Sequence, residues 1–165
     1  MKANMRSESR GVIELEKADS YTKPMQRVLS QLFATRLKAQ VYHWNARGPQ
    51  FYSAHKLLED VYKNLDESID EVAERIRTLG IHTISSFEEI IQFCGTSNLK
   101  SDKFMGLDEM IVDMNKSLES LGKVISDVLK QENLNCRVTE DLLIKTLGRV
   151  EKYAWMIRSF EKESE

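Results

Sequence analysis

Two histidines stand on either side of one predicted turn, where they could bind a transition metal ion. The chain has only three histidines: His43, His55 and His82. Glu59 follows His55 by four residues, so these two side chains share one face of a helix. Imidazole nitrogen and carboxylate oxygen together suit iron, manganese or zinc.

Asp70 and Glu74 repeat the four-residue spacing farther along the same segment. The chain holds 26 acidic residues, so pairs of this kind also arise by chance and usually form a solvated helix face. A histidine such as His43, which precedes Trp44, is more often a hydrogen-bonded core residue than a ligand. The spacing by itself leaves both interpretations open.

One helix does not bring His55 and Glu74 to the same ion, because they stand about 28 Å apart along its axis. Two antiparallel copies of that helix would do so. In such a pair, residue 55 of one copy can lie opposite residue 74 of the other, and residue 59 opposite residue 70. Both pairings have the same midpoint in the helix, between residues 64 and 65. A two-fold axis there would set His55 opposite the partner's Glu74 and Glu59 opposite the partner's Asp70, giving two equivalent sites per dimer. His43 would complete each site.

A di-iron centre inside one chain is disfavoured by a missing motif. Such centres in helical bundles use Glu-x-x-His on two helices. No glutamate stands three residues before any of the three histidines. The pattern therefore favours a site between subunits.

The apolar spacing predicts helices that would carry these residues. Apolar residues recur every three to four positions, and no alternating strand pattern occurs. The predicted helices run from about Pro24 to the Gly48-Pro49 break, from Phe51 to Gly80, from Ser85 to Phe93, from Leu107 to Leu129, and from Val138-Thr139 to Phe160. We therefore expect an all-α, four-helix bundle with a short extra helix between the second and third long helices.

Length and composition fit one domain of an ordinary globular protein. The chain has 165 residues and 19.1 kDa, and we expect a flexible arm over residues 1–23 and the bundle over residues 24–165. A net charge of −2 argues against a protein that is basic throughout and coats nucleic acid. Cys94 and Cys136 are too few for a disulfide framework. Without an apolar run of membrane length or a signal peptide, the expected location is the cytoplasm.

The segment around the histidines resembles one known family. It reads His43-Trp44-Asn45-x-x-Gly48-Pro49-x-Phe51-x-x-x-His55-x-x-x-Glu59-x-x-Tyr62, then Asp70-Glu71-x-Ala73-Glu74-Arg75-Ile76. This pattern resembles the Dps family, the mini-ferritins or DNA-binding proteins from starved cells. The run Lys152-Tyr153-Ala154-Trp155-Met156-Ile157-Arg158 is similar to the family's last helix. The resemblance covers about residues 24–162 and implies a ferritin-like bundle assembled into a hollow dodecamer.

The resemblance also implies a ferroxidase site at each two-fold interface, with two iron positions. Its ligands would be His43 and His55 of one subunit with Asp70 and Glu74 of its neighbour, and Glu59 as a further acid. Family members often have Asp at the position of Glu59. The implied substrates are Fe(II) and, as the preferred oxidant, hydrogen peroxide. The implied function is storage of ferric mineral, which protects DNA from oxidative damage.

Other residues take roles from the same resemblance. Trp44 matches a tryptophan near the iron site that would pass or absorb an electron, and Asp141 matches an acid of the pore that admits iron. Lys2, Arg6 and Arg10 would form a basic arm that binds DNA phosphates without reading sequence. Two alternatives stay open: a DNA-compacting shell with little iron chemistry, and a structural oligomer whose acids are merely solvated.

Overall fold

Four long helices and one short helix make up the described part of the protein. A computed structural model describes residues 15–95, 105–131 and 136–160, with side chains from residue 21 onward. The helices are α1 (Leu15–Asn45), α2 (Phe51–Thr78), α3 (Phe87–Cys94), α4 (Leu107–Leu129) and α5 (Arg137–Arg158). No strand occurs in these ranges. The predicted four-helix bundle, with its short helix between the second and third long helices, is confirmed.

The first helix begins earlier than the sequence predicted. We expected α1 to start near Pro24, but it starts at Leu15 and Pro24 lies inside it. A proline within a helix lacks the N–H that would bond to the preceding turn. Burial outweighs this loss, because Tyr21 and Met25 are 2% and 0% exposed in the core. Residues 15–23 therefore extend α1, whereas Lys2, Arg6 and Arg10 lie outside the described residues.

The ends of α2 and α3 follow from local sequence. Gly80 adopts φ +80° directly after α2, a left-handed conformation that favours glycine. The hydroxyl of Ser86 accepts a hydrogen bond from the backbone N–H of Glu89 at 3.2 Å and so caps α3. The carboxylate of Glu89 accepts in return from the Ser85 N–H at 2.7 Å. The glycine thus marks the C-terminal end of α2, the helix that carries most candidate ligands.

A buried polar cluster holds α1 against α4. Lys38 Nζ lies 2.7 Å from Asp113 Oδ2 and donates to Ser117 Oγ at 2.9 Å. The Tyr42 hydroxyl donates to the same Asp113 oxygen at 2.6 Å. Burial opposes ionisation of Asp113, but the hydrogen bonds from Lys38 and Tyr42 outweigh it and hold the pKa of that carboxyl below its usual value. These bonds fix the part of α1 that leads into His43.

Charged contacts also connect α2 with α5. The Glu71 carboxylate accepts hydrogen bonds from Lys145 at 2.8 Å and from Arg149 at 3.2 Å. The Lys145 bond, together with Arg149, holds the pKa of Glu71 below its usual value although burial opposes this.

Across the described ranges, no helix is long and apolar enough to span a membrane.

Candidate metal centre

The two histidines of the turn between α1 and α2 lie face to face. His43 is near the end of α1 and is 8% exposed, whereas His55 is partly buried near the start of α2. Their ring centroids are 3.7 Å apart and the ring planes differ by 18°. The structure therefore brings together two residues that are twelve positions apart in the sequence.

Reciprocal hydrogen bonds set the proton positions of these rings. His43 Nδ1 lies 2.8 Å from the backbone oxygen of His55, and His55 Nδ1 lies 2.9 Å from that of His43. A carbonyl oxygen only accepts, so each Nδ1 carries the proton and donates it. In the neutral ring the lone pair then resides on Nε2, which is the form that binds a metal ion. The turn thus presents two prepared nitrogen ligands.

Three further side chains support the histidine pair. Tyr62 meets the His43 ring edge-on with centroids 5.3 Å apart. The Arg36 guanidinium lies over the Tyr62 ring, 5.7 Å from its centroid, and makes an ion pair with Asp66. Tyr62 belongs to the sequence pattern quoted above, but nothing in the sequence singled out Arg36, which lies on the other helix. Periodicity places both Arg36 and Asp66 on their helices without showing that they meet.

Asp70 and Glu74 lie on α2 but far from the histidines of their own chain. Both are exposed, and neither makes an ion pair or hydrogen bond with another described residue. Along α2, Glu74 is about 28 Å from His55. Among the described residues of one chain, no three His, Cys, Asp or Glu side chains are placed to hold one ion. Within the described ranges, the two carboxylates therefore present negative charge on the surface without forming an ion pair.

Glu59 differs sharply from this acidic pair. Its side chain is 18% exposed, and its two oxygens lie 2.8 Å from Lys56 Nζ and 2.5 Å from Lys63 Nζ. Hydrogen bonds from Lys56 and then Lys63 lower the pKa of Glu59 to about 2. The lysines stand three residues before and four after Glu59, which is the spacing at which helical side chains meet. The sequence thus held this signal, although the ligand prediction did not use it.

The remaining predicted site residues lie apart from the histidine pair or beyond the described ranges. Trp44 follows His43 but is 63% exposed, so in one chain it is no core aromatic residue. Asp141 is exposed on the first turns of α5. The arm residues Lys2, Arg6 and Arg10 fall outside the described part of the chain.

Comparisons with known proteins agree with this architecture. A model of the ferritin-like domain matches residues 23–163. The chain is 33% identical over 134 residues to an uncharacterized low temperature-induced protein of Nostoc, covering 80% of this chain and 74% of that protein. It is 30% identical over 125 residues to DNA protection during starvation protein 2 of Bacillus anthracis, covering 74% and 84%.

Solved structures share the fold at lower sequence identity. The DPS protein of Vibrio cholerae superposes with a TM-score of 0.83 at 21% identity, covering 96% of this chain and 99% of the other. That protein is described as a member of a broad superfamily of ferritin-like diiron-carboxylate proteins. At this level of identity the similarity establishes the fold.

Proposed function

Because the chain belongs to the Dps family of ferritin-like proteins, we propose that it sequesters iron by oxidising Fe(II) at sites formed between two subunits. The observation that carries this proposal is the stacked pair of His43 and His55. Their Nδ1 hydrogen bonds to backbone carbonyls leave both Nε2 atoms free to bind a metal ion.

In this proposal, Asp70 and Glu74 of the partner subunit complete the site. Their common two-fold relationship with the histidines, about a midpoint between residues 64 and 65 of α2, supports the assignment. Two carboxylates supply negative charge, which stabilises Fe(III) more than Fe(II) and so favours loss of an electron. Neutral imidazoles retain the ferrous ion before oxidation. Glu59 is the further acid of the site in this proposal, and in the single chain its two oxygens contact Lys56 and Lys63.

The oxidant in this proposal is hydrogen peroxide, as the family resemblance implies. Two Fe(II) ions each lose one electron, and one peroxide with two protons takes up both electrons and becomes two water molecules. No hydroxyl radical leaves the site when both electrons are delivered. The ferric product collects as oxide mineral, and removing Fe(II) and peroxide together protects DNA from oxidation.

The proposed assembly is a hollow shell of twelve chains in the cytoplasm. Its two-fold interfaces hold the oxidation sites, and Asp141 lines the pores through which iron enters. Trp44, which is exposed beside His43, supplies or absorbs an electron when only one iron is present. These roles follow from the family resemblance, and they require the neighbouring subunits.

A variant of the partner-derived ligands tests the proposal. Fe(II) is added anaerobically to Asp70→Asn/Glu74→Gln, then peroxide, while ferric absorbance and light-scattering mass are followed together. We expect a twelve-chain particle that no longer accelerates iron oxidation. The control, Asp127→Asn/Glu151→Gln, removes two exposed carboxylates outside the site and keeps the wild-type rate. Oxidation at the wild-type rate by an assembled Asp70→Asn/Glu74→Gln particle would show that the proposed site is wrong.

Contact with DNA is a separate proposal that rests on the charge of the arm. The first ten residues contain Lys2, Arg6 and Arg10 against the single acid Glu8. Twelve weakly basic arms on one particle would gain avidity, and salt would weaken their binding. Deleting residues 1–10 is expected to abolish the gel shift of plasmid DNA. An unchanged shift would remove the arm from consideration.

A further inference from the structure

Four charged residues, Glu59, Lys63, Asp66 and Asp70, lie in one row along α2. Their spacing of four, three and four residues places them on one face of the helix. The row is symmetric about the midpoint between residues 64 and 65, the same point that relates the candidate ligands. Two antiparallel copies of α2 would therefore set this row against itself.

The two inner members of the row carry opposite charges next to that midpoint. Lys63 and Asp66 each stand one and a half positions from it, which is about 2 Å along the helix axis. So close to a two-fold axis, the crossing angle of two helices hardly changes which side chains face each other. Lys63 therefore faces the partner's Asp66, whereas His55 and Glu74 lie about 14 Å from the midpoint.

Both inner side chains are exposed and can accommodate a further hydrogen bond. Lys63 is 61% exposed and Asp66 is 48% exposed. An ammonium group has three donors, and Lys63 directs one of them to Glu59. Each oxygen of Asp66 accepts one hydrogen bond from Arg36, although a carboxylate oxygen has two lone pairs. A second copy of the chain can therefore add a bond between Lys63 and Asp66 without breaking the contacts within each chain.

A displacement of the two helices would replace this attraction with repulsion. A slide of three residues in one direction sets Lys63 opposite Lys63 of the partner subunit. The same slide in the other direction sets Asp66 opposite Asp66 of the partner subunit. Like charges that face each other across an interface disfavour the wrong arrangement. The charges at the centre of α2 thus favour the register in which His55 meets the partner's Glu74.

We infer that Lys63 forms an ion pair with the partner's Asp66, twice per dimer, and that these pairs set the register of the two α2 helices before a metal ion binds. The partner of this helix face is thus a second copy of the chain. The inference rests on the proposed function for its two-fold axis. It adds a contact that holds the two halves of each site together without iron.

Carbodiimide cross-linking in the presence of a chelator tests this contact directly. The reagent joins an amine to an adjacent carboxylate without a spacer, so the ion pair should yield a covalent dimer on a denaturing gel. Mass spectrometry should find two copies of one α2 peptide joined through residues 63 and 66. Two copies of the same peptide can be joined only between two chains, so a link within one chain is not mistaken for this product.

Two arginine variants make the cross-link specific. Lys63→Arg keeps the charge but removes the amine that forms the amide. It should lose the link while its light-scattering mass stays that of the wild type. Lys56→Arg is the matched control, because Lys56 is 54% exposed and also contacts Glu59. It should keep the link.

Charge reversal measures what the pair contributes to assembly. Lys63→Glu sets two carboxylates against each other and should raise the concentration at which the particle dissociates at least about tenfold. Lys63→Glu/Asp66→Asn removes that repulsion and should recover most of the loss, while circular dichroism checks that the helices remain. Lys123→Glu changes an exposed lysine on α4 and should leave assembly unchanged.

Calorimetry with Co(II) separates this inference from the proposed function, because Co(II) accepts the same nitrogen and oxygen ligands as iron. A particle that binds Co(II) through Asp70 and Glu74 but gives no link between residues 63 and 66 would overturn the inference and leave the site standing. Equal assembly of Lys63→Glu and the wild type would overturn it as well. A particle that gives the link but binds Co(II) equally well as Asp70→Asn/Glu74→Gln would refute the proposed site and leave the ion pair standing.

Discussion

The Arg36 side chain on α1 donates to both carboxylate oxygens of Asp66 on α2, through Nε to Oδ1 at 2.7 Å and through Nη2 to Oδ2 at 3.0 Å. This two-point contact holds the guanidinium over the ring of Tyr62, 5.7 Å from its centroid. Tyr62 in turn meets His43 edge-on. A single ion pair between two helices thus orients a ring that would bind the metal.

Arg36→Met should therefore weaken metal binding without changing the ligands. Loss of the cation above Tyr62 is expected to lower Co(II) affinity about twofold to fivefold. Tyr62→Phe is the companion variant, because it keeps the ring and removes only the hydroxyl. It should bind Co(II) as the wild type does. If Tyr62→Phe lost affinity and Arg36→Met did not, the hydroxyl rather than the edge-on ring would be the supporting group.

His55→Ala tests the reciprocal hydrogen bonds at the turn. It removes one nitrogen proposed to bind metal, the donor to the His43 carbonyl and the stacked ring. We expect loss of Co(II) binding and a decrease of about 1–2 kcal/mol in the free energy of unfolding. Urea unfolding at one fixed protein concentration measures the second effect, because assembly makes stability depend on concentration.

The control for that variant is His82→Ala. His82 is exposed, and its Nδ1 lies 3.0 Å from Arg77 Nη1 outside the candidate site. It should keep full Co(II) affinity. Loss of binding in both variants would mean that the effect of His55→Ala is not specific to the stacked pair.

Helical periodicity in the sequence was enough to predict the bundle and the shared face of His55 and Glu59. It also located both histidines at one turn. His43 lies five residues before the break at Gly48-Pro49, and His55 lies six residues after it. Periodicity does not report which charged side chains pair. The lysines on Glu59 and the contact of Arg36 with Asp66 became visible only when rotamers and neighbouring helices were defined.

The start of α1 shows a different limit of sequence reasoning. Proline favours a first-turn position, so Pro24 was predicted to begin the helix. The packing of Tyr21 and Met25 decides otherwise, because their burial offsets one missing backbone hydrogen bond. That burial depends on residues of other helices that are distant in the sequence, and a local rule does not include it.

The pair of the buried Lys38 and the partly exposed Asp113 should be the more costly ion pair to break. The Lys38 side chain is 7% exposed, so Asp113→Ala leaves an ammonium group in the core without its partner. We expect a loss of about 3 kcal/mol in the free energy of unfolding. Lys38→Met/Asp113→Leu should be closer to the wild type, because neither charge remains buried.

An exposed pair supplies the comparison for this prediction. Arg158 and Glu119 are 47% and 53% exposed at 3.2 Å, so Glu119→Ala should cost less than about 1 kcal/mol. Urea denaturation of all variants at equal concentration ranks the costs. Equal losses in Asp113→Ala and Glu119→Ala would mean that burial of Lys38 does not matter.

Acidification should destabilise the protein through carboxylates that are ionised in the folded state. The folded pKa values of Asp113 and Glu71 lie below their ordinary values, which are about 3.9 and 4.3 in an unfolded chain. A lowered folded pKa contributes stability that is fully present above the unfolded value and is lost as the pH falls through the folded value. The melting temperature should therefore be level near pH 6 and fall below about pH 4.5.

Glu71→Gln should make that fall in melting temperature shallower, since its link to Lys145 and Arg149 no longer titrates. The control, Glu151→Gln, should leave the curve unchanged. Identical acid curves for Glu71→Gln and the wild type would show that this link between α2 and α5 does not contribute to stability.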